Sequence, residues 1–302
     1  MTPAPRPTAA HLEVLATGAL STVQDLGRPG HAHLGVPLSG AADRGALRLA
    51  NRLVGNTEGA AGIEVTLGGL SVTAAGDLLM VLTGAPCPVM IDGRPTGPGA
   101  AFVVRDGQTV SLGAPPSQLR SYLAVRGGLD VPAVLGSRST DTLSDLGPAP
   151  IAVGDRLPIG SDRDAWPSTT EAPGTMTTAT QDVVALHAEP GPRAQALVDA
   201  GVLYQGLWVV SASTNRVGVR LHRTADAGDG GDPLPETRSE GGALASEGVA
   251  LGSVQVPPSG LPVVFLADHP VTGGYPVAAV LTADSVDRAA QLVPGQRVRL
   301  HR

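Results

Sequence analysis

The chain of 302 residues contains no lysine, and all 21 of its fixed positive side chains are arginine. That absence excludes biotin carried on a lysine of this chain, a Schiff-base lysine and the lysine of a Walker-type phosphate loop. Any clamp on a phosphate or carboxylate must therefore use arginine, backbone N–H groups or a metal. There is one cysteine, Cys87, so neither an internal disulfide nor a cysteine-rich zinc site can form. Its setting, LTGAPCPVM, is apolar and reads as buried filler before it reads as a nucleophile. Aromatic residues make up 2%, the net charge is -6, and no segment is strongly basic. These features argue against nucleic-acid binding through stacking platforms or basic stripes. No apolar run reaches the roughly 18 residues of a membrane helix. The first ten residues, MTPAPRPTAA, lack the apolar centre of a signal peptide. The expected location is cytoplasmic, with no membrane partner.

The hydrophobic fraction is 42% and the mean hydropathy is +0.12, which suit a globular chain. The length allows two domains of about 150 residues. Residues 161–180, SDRDAWPSTTEAPGTMTTAT, are rich in Ser, Thr and Pro and read as a linker or long loop. They divide a first domain, 11–160, from a second, 181–302, and residues 1–10 are expected to be disordered. Both halves read mainly as strands. GIEVTLGGLSV alternates Ile63, Val65 and Leu67 with Glu64 and Thr66, and the Gly68-Gly69 pair predicts a hairpin. A Gly turn feeding a short alternating strand recurs at DGQTVSLG (106–113), VGDRLPIG (153–160) and PGQRVRL (294–300). Helices are few. The first is expected over Ala41–Val54, with Ser39 as cap, Asp43 in the first turn and Gly55 as stop. Two more are expected over Pro192–Ala200 and Asp284–Val293. Many strands with few helices favour closed or nearly closed β-barrels with short peripheral helices.

Four stretches concentrate polar chemistry. Gly18–Asn56 carries Gln24, Asp25, Arg28, Ser39, Asp43, Asn51 and Asn56. It reads either as turns and a solvated helix face or as a polar pocket wall. His31 and His33 alternate there, but no third metal ligand accompanies them, so no metal site is expected. Glu64 reads most simply as a surface acid, or as an acid facing a pocket at the strand end. Ser121–Thr140 offers GSRST around Arg138, either an anion-binding loop or an ordinary turn. Ser211–Arg223 places Asn215, Arg216 and Arg220 in strand-like surroundings. The last stretch is ADHPVTGGYP, preceded by Gln255. Asp268 ends an apolar run, which suits a general base or an anchor for a substrate amide at a barrel rim. Thr272, Gly273 and Gly274 let backbone approach a ligand, and Tyr275 can serve as a wall or anchor.

In this order, TVQDLGRPG (22–30), SGAAD, AN and LVGN (39–56), GIEVTLG (62–68), GGLDVPAVLGSRST (127–140), NRVGVRL (215–221), GSVQVPPSGLPVVFLAD (252–268) and TGGYP (272–276) resemble one family. It is the allophanate hydrolase subunit 2 family, also known as the C-subunit of the prokaryotic 5-oxoprolinase. It is similar to half of the carboxyltransferase domain of urea carboxylase, and one member is known as the antagonist of a sporulation kinase inhibitor. The resemblance spans about residues 11–302. Val271 stands where the family often has Thr, Pro270 where Gln is common, and Val217 and Ala42 where Met is usual. No hydroxyl is therefore expected at 271, while Asp268 and TGGY match.

The resemblance implies two cyclophilin-like β-barrel domains. It implies as partners a B-subunit, similar to allophanate hydrolase subunit 1 and fused in some relatives, and an A-subunit. The complex would open L-5-oxoproline to L-glutamate with ATP as co-substrate. In urea-carboxylase relatives the corresponding domain moves a carboxyl group from carboxybiotin to urea. A third, non-enzymatic reading is a regulatory partner that binds a kinase-inhibitor-like B-subunit. Urea and 5-oxoproline share a planar amide. Asp268 with Gln255 or Asn51 has groups to hold it, and Arg28 or Arg138 can hold a carboxylate or phosphorylated intermediate. The expected catalytic set is Asp268, Asn51 and Gln255. The expected binding set is Gln24, Asp25, Arg28, Asp43, Arg138, Thr272, Gly273, Gly274 and Tyr275.

Overall fold

The computed structural model describes residues 9–97, 99–172, 182–197, 199–223 and 245–302. Residues 1–8 of the expected disordered stretch and 173–180 of the expected linker lie outside the described residues. The fold is mainly β.

Strands of the first half divide between two sheets. One runs in the order Gly127–Leu129, Arg156–Asp162, His11–Thr17, Leu70–Ala75, Thr109–Leu112, Val89–Ile91 and Arg94–Pro95. The other runs Leu20–Gln24, Gly62–Thr66, Arg120–Val125, Leu78–Gly84 and Phe102–Val104. A single core joins them: Leu12, Val14 and Val72 of the first sheet lie in one cluster with Ile63, Met80 and Leu123 of the second. Alternation sets which residues enter it, as in Leu70–Ala75, where Leu70, Val72 and Ala74 are buried and their neighbours are half-buried. Strand Arg120–Val125 is buried at every position, because helix α1 (Arg44–Val54) covers its other face.

The second half is a closed barrel in the order Val183–Pro190, Val277–Leu281, Ser253–Gln255, Val263–Phe265, Gly218–His222, Trp208–Val210 and Arg297–His301. Closure is made by a parallel pairing that runs from Val183 opposite Arg297 to His187 opposite His301. Leu186, Trp208, Val219, Val264 and Leu300 fill its core. Trp208 can be buried whole because its ring N–H donates to Leu203 O at 3.0 Å. Helix α2 (Ala283–Ala290) packs on the strand Val183–Pro190 and reaches α1 of the first half.

Four expectations are corrected. Gly62–Thr66 and Leu70–Ala75 do not form a hairpin; they belong to different sheets. Leu67, Gly68 and Gly69 all have left-handed φ, of 60°, 72° and 85°, so the chain turns a corner between sheets where a two-residue hairpin would return on itself. The corner is tight: a Cβ on Gly68 would lie 2.0 Å from Gly113 O. The first helix begins at Arg44 with Asp43 as its cap, accepting from Ala46 N at 2.8 Å. Ser39 lies five residues before Arg44, outside the first turn, and its hydroxyl instead faces Thr140 O and Asp268 Oδ1 as a donor. Pro192–Ala200 yields only a 3-10 turn, Ala194–Ala196, followed by a second one over Ala200–Tyr204. The helix expected over Asp284–Val293 spans Ala283–Ala290, while the stop at Gly55 stands, with φ 68°.

Candidate functional site at the junction of the two halves

The densest chemistry lies where the halves meet. Arg216 comes from the loop before the barrel strand Gly218–His222, and Asp268 from the loop after Val263–Phe265. Those strands pair with Gly218 opposite Phe265, which carries both loops to one end of the barrel. The Arg216 guanidinium grips Asp268 at both oxygens, Nε to Oδ2 at 2.8 Å and Nη2 to Oδ1 at 2.9 Å. Its Nη1 pairs with Glu64 Oε1, and Nη2 also donates to Gly40 O at 2.7 Å. Arg216, Asp268 and Glu64 are all buried, so this charge cluster sits in the molecule's interior.

The first half closes around it. Ser39 Oγ donates to Asp268 Oδ1 at 3.0 Å, and Thr142 donates to Oδ2 through N at 2.9 Å and Oγ1 at 2.7 Å. Glu64 Oε2 accepts from Ala42 N at 2.9 Å and Tyr122 OH at 2.8 Å, and Arg120 Nε lies 3.5 Å from Oε1. Burial pushes the Glu64 carboxyl up, but Arg216 and then Arg120 outweigh it and hold it below its usual range. Burial acts likewise on Asp268, where the Arg216 charge and its hydrogen bonds prevail and the net shift is downward. The same two acids hold Arg216 above an ordinary arginine, whereas burial draws Arg120 down.

This geometry revises several expectations. Asp268 is not at an open rim. It accepts five hydrogen bonds, is sealed from solvent and is held ionised, so in this state it anchors its neighbours and has no lone pair free to take a proton. Glu64 is no surface acid, being 1% exposed. Asn51 lies on the buried face of α1 and not on the solvated one. Its amide donates to Glu58 O and Ala60 O, and its Oδ1 accepts from Asn56, so it ties the loop beyond the helix. Among the described residues Asn51 shares no hydrogen-bond partner with Asp268. Arg138 turns outward to Asp130 Oδ1 at 2.8 Å and to Val131 O.

Other expected residues support the loop that holds Asp268. Gln24 Nε2 donates to Thr140 O at 2.9 Å, and Asp25 accepts from Gly27 N, Ser137 Oγ and Arg138 N. Arg28 is buried with Nη2 on Ser139 O, yet its Nε and Nη1 have no partner among the described residues. Gln24 Oε1, Thr140 Oγ1 and Asp141 Oδ2 are also buried without a hydrogen bond there. Such groups mark a place for ordered water or a polar ligand. Gln255 Nε2 donates to Tyr275 O at 3.1 Å. A Cβ on Gly273 would fall 2.5 Å from Gln255 Nε2, so glycine there admits the amide, while Tyr275 and Thr272 are exposed. His31 precedes the short turn Ala32–Leu34 and is half-buried, while His33 lies within it and is exposed. Cys87 is half-buried and burial raises its thiol pKa, consistent with an unreactive apolar side chain.

Sequence reasoning missed Tyr122, Arg120, Thr142, Asp287 and Gln291, and placed Arg216 only in a polar cluster. Arg216 and Glu64 sit more than a hundred residues apart in the chain, so no local spacing pairs them. The available signal was an acid inside an otherwise apolar strand and an arginine just before another, both of which require partners when buried.

A mainly β chain of two packed halves, with a buried arginine–carboxylate junction, defines the class. Residues 34–302 match the family described as carboxyltransferase domain, subdomain A and B, and the chain belongs to it. It is 38% identical to the 5-oxoprolinase C-subunit of Escherichia coli over 95% of this chain and 89% of that protein. It is 32% identical to the 5-oxoprolinase C-subunit of Haemophilus influenzae, over 90% and 85%. Against the solved urea amidolyase of Kluyveromyces lactis the TM-score is 0.87 at 27% identity, covering 98% of this chain and 19% of that one. Against the urea carboxylase of the same yeast it is 0.85 at 27% identity, over 98% and 28%.

Proposed function

We propose that this chain is the C-subunit of an ATP-dependent 5-oxoprolinase. With the A- and B-subunits it opens L-5-oxoproline to L-glutamate, with ATP as co-substrate of the complex. The observation that carries this reading is likeness along nearly the whole of both chains to proteins named as the C-subunit of 5-oxoprolinase. The yeast urea enzymes, by contrast, contain the corresponding region as a small part of a much longer chain. In this reading the junction loops hold the planar amide of the substrate. The unsatisfied groups beside Thr140 supply donors and acceptors, and Asp268 fixes Arg216, Ser39 and Thr142 around them. Gln255, which pairs opposite Val263 at the other end of that strand from Asp268, contributes through its contact with Tyr275 O.

Reconstitution with the A- and B-subunits tests it by measuring ATP-dependent glutamate release. Asp268→Asn removes the charge that Arg216 and Thr142 bind, and is expected to lower release at least tenfold while the chain still co-purifies with the B-subunit. A folded, complete complex that leaves 5-oxoproline intact refutes the reading. A carboxyl transfer from a biotinylated partner to urea is the second reading, favoured by the TM-score to urea amidolyase. Carboxylation of urea in the presence of such a partner would select it. Capture of the B-subunit with unchanged regulation by Asp268→Asn would instead favour the regulatory role.

A further inference from the structure

Helix α2 of the second half meets α1 of the first at a second set of acids, independent of Arg216. Asp287 reaches across the junction to the open N-terminus of α1. Its Oδ1 accepts from Arg44 N at 2.9 Å and its Oδ2 from Gly45 N at 3.2 Å. Asp43 accepts the next free N–H, that of Ala46. Two carboxylates from different halves therefore share the first turn of one helix, where N–H groups have no partners within the helix. They are close neighbours: a Cβ built on Gly45 would lie 2.7 Å from Asp287 Oδ2 and 3.6 Å from Asp43 Oδ1. Glycine at 45 is what leaves room for the second acid.

Gln291, just past α2, completes the joint with every hydrogen-bonding position of its amide. Its Nε2 donates to Asp43 Oδ2 at 2.7 Å and Arg120 O at 2.9 Å, and its Oε1 accepts from Leu119 N and Arg120 N. Arg120 Nη1 also donates to Ala290 O. The charged groups facing this joint are known from each element. Glu64 and Tyr122 face Asp43 from the neighbouring strands, and Arg44 and Arg48 of α1 face Asp287. Asp43 has no cation within ion-pair distance among the described residues. Burial, and then repulsion from Asp287, push its carboxyl up to about 7. Burial likewise raises Asp287, though Arg44 and Gly45 N–H groups oppose it.

We infer that the two halves are clasped by a proton-dependent joint, in which Asp43 and Asp287 together hold a proton when α2 is docked on α1. The joint is a conformational device and stands whichever reaction the complex performs. Segment 39–43, which leads into α1, supplies Ser39, Gly40 and Ala42 to Asp268, Arg216 and Glu64. Loosening the joint therefore loosens the Asp268 site. The sign follows from linkage. Asp43 is protonated more readily docked than in water, so rising pH favours undocking. With a docked value of about 7 and an ordinary one of 3.8, the undocking equilibrium rises roughly tenfold per pH unit up to about 7 and then levels off.

Hydrogen–deuterium exchange of the full chain between pH 5 and 8.5 reads this directly. The Arg44, Gly45, Leu119 and Arg120 amides should gain roughly tenfold per unit beyond the ordinary base-catalysed rise, up to about pH 7. Strand Val277–Leu281 should show the ordinary rise alone. Asp43→Ser keeps a helix cap but removes the carboxylate, and should reduce the excess to what Asp287 alone contributes. Equal pH dependence in the joint and in Val277–Leu281 overturns the proposal, as does an excess undiminished in Asp43→Ser. A carboxyl NMR titration of the unmodified protein gives a second check that needs no variant. An Asp43 midpoint above about 6 supports the joint, and a midpoint below about 6 overturns it.

Discussion

Removing Arg216 is the sharpest test of what holds the two halves together. Arg216→Met keeps much of the side-chain volume and deletes three contacts to buried carboxylates and one to Gly40 O. Stripping one partner from a buried ion pair costs about 3–5 kcal/mol. Here two acids lose the same cation, but neither is left bare. Asp268 keeps Ser39 and Thr142, and Glu64 keeps Ala42 N, Tyr122 and the more distant Arg120. The retained bonds should hold the total to about 3–5 kcal/mol instead of twice that. That is a large part of the 5–15 kcal/mol of a typical domain. Urea unfolding followed by the fluorescence of buried Trp208 measures it, with Arg52→Met at the exposed Arg52–Glu58 pair as control, expected within about 1 kcal/mol. The loss must depend on pH. In the unmodified protein both acids are held below their ordinary values. They therefore add stability above the unfolded pKa that disappears as pH falls through the folded values. Without Arg216 both acids protonate more easily, so the gap between the two proteins should narrow from pH 7 toward pH 4. A variant within about 1 kcal/mol of the parent at pH 7, or a gap unchanged down to pH 4, refutes the assignment.

Two glycine substitutions separate architecture from site. Gly68→Ala places a methyl 2.0 Å from Gly113 O at a φ of 72°, so thermal or urea unfolding should show a loss of at least about 2 kcal/mol; a neutral effect would refute the sheet-to-sheet corner. Gly273→Ala instead meets the movable end of Gln255, at 2.5 Å from Nε2. It should leave stability within about 1 kcal/mol yet lower glutamate release by the reconstituted complex, and full activity would remove Gln255 from the site.

How much of this was legible in the sequence depends on the range of the interaction. Alternation in LSVTAA and the Gly55 stop of α1 are local and were readable, because burial and left-handed φ act on one residue and its neighbours. The hairpin expected at Gly68-Gly69 failed for the converse reason. A glycine pair states that the chain turns, but which strand each arm joins is set by Arg120–Val125 and His11–Thr17, both far away in sequence. Ser39 and Asp43 illustrate the same limit at the scale of one side chain. Either has the chemistry of a cap, and the choice follows from where the helix starts: with Arg44 first, Asp43 holds the cap position and Ser39 is left to donate to Asp268 across the junction.

Asp268 itself shows why a residue can be correctly singled out and still be given the wrong task. An acid at the end of an apolar strand looks like an exposed base because the strand's neighbours are unknown. Once Arg216, Thr142 and Ser39 are placed, its oxygens are occupied and its proton affinity is lowered, both of which oppose base catalysis. The same contacts make it the point where two barrel loops and two loops of the other half are fixed together. A substrate amide held by those loops would depend on Asp268 for their relative position, not for a proton. Asp268→Asn and Arg216→Met should then act alike on turnover, since each breaks the same bidentate contact. For a general base, loss of the carboxylate alone would be far the more damaging. Equal loss in the two variants favours the anchor, and activity retained only in Arg216→Met would restore the base.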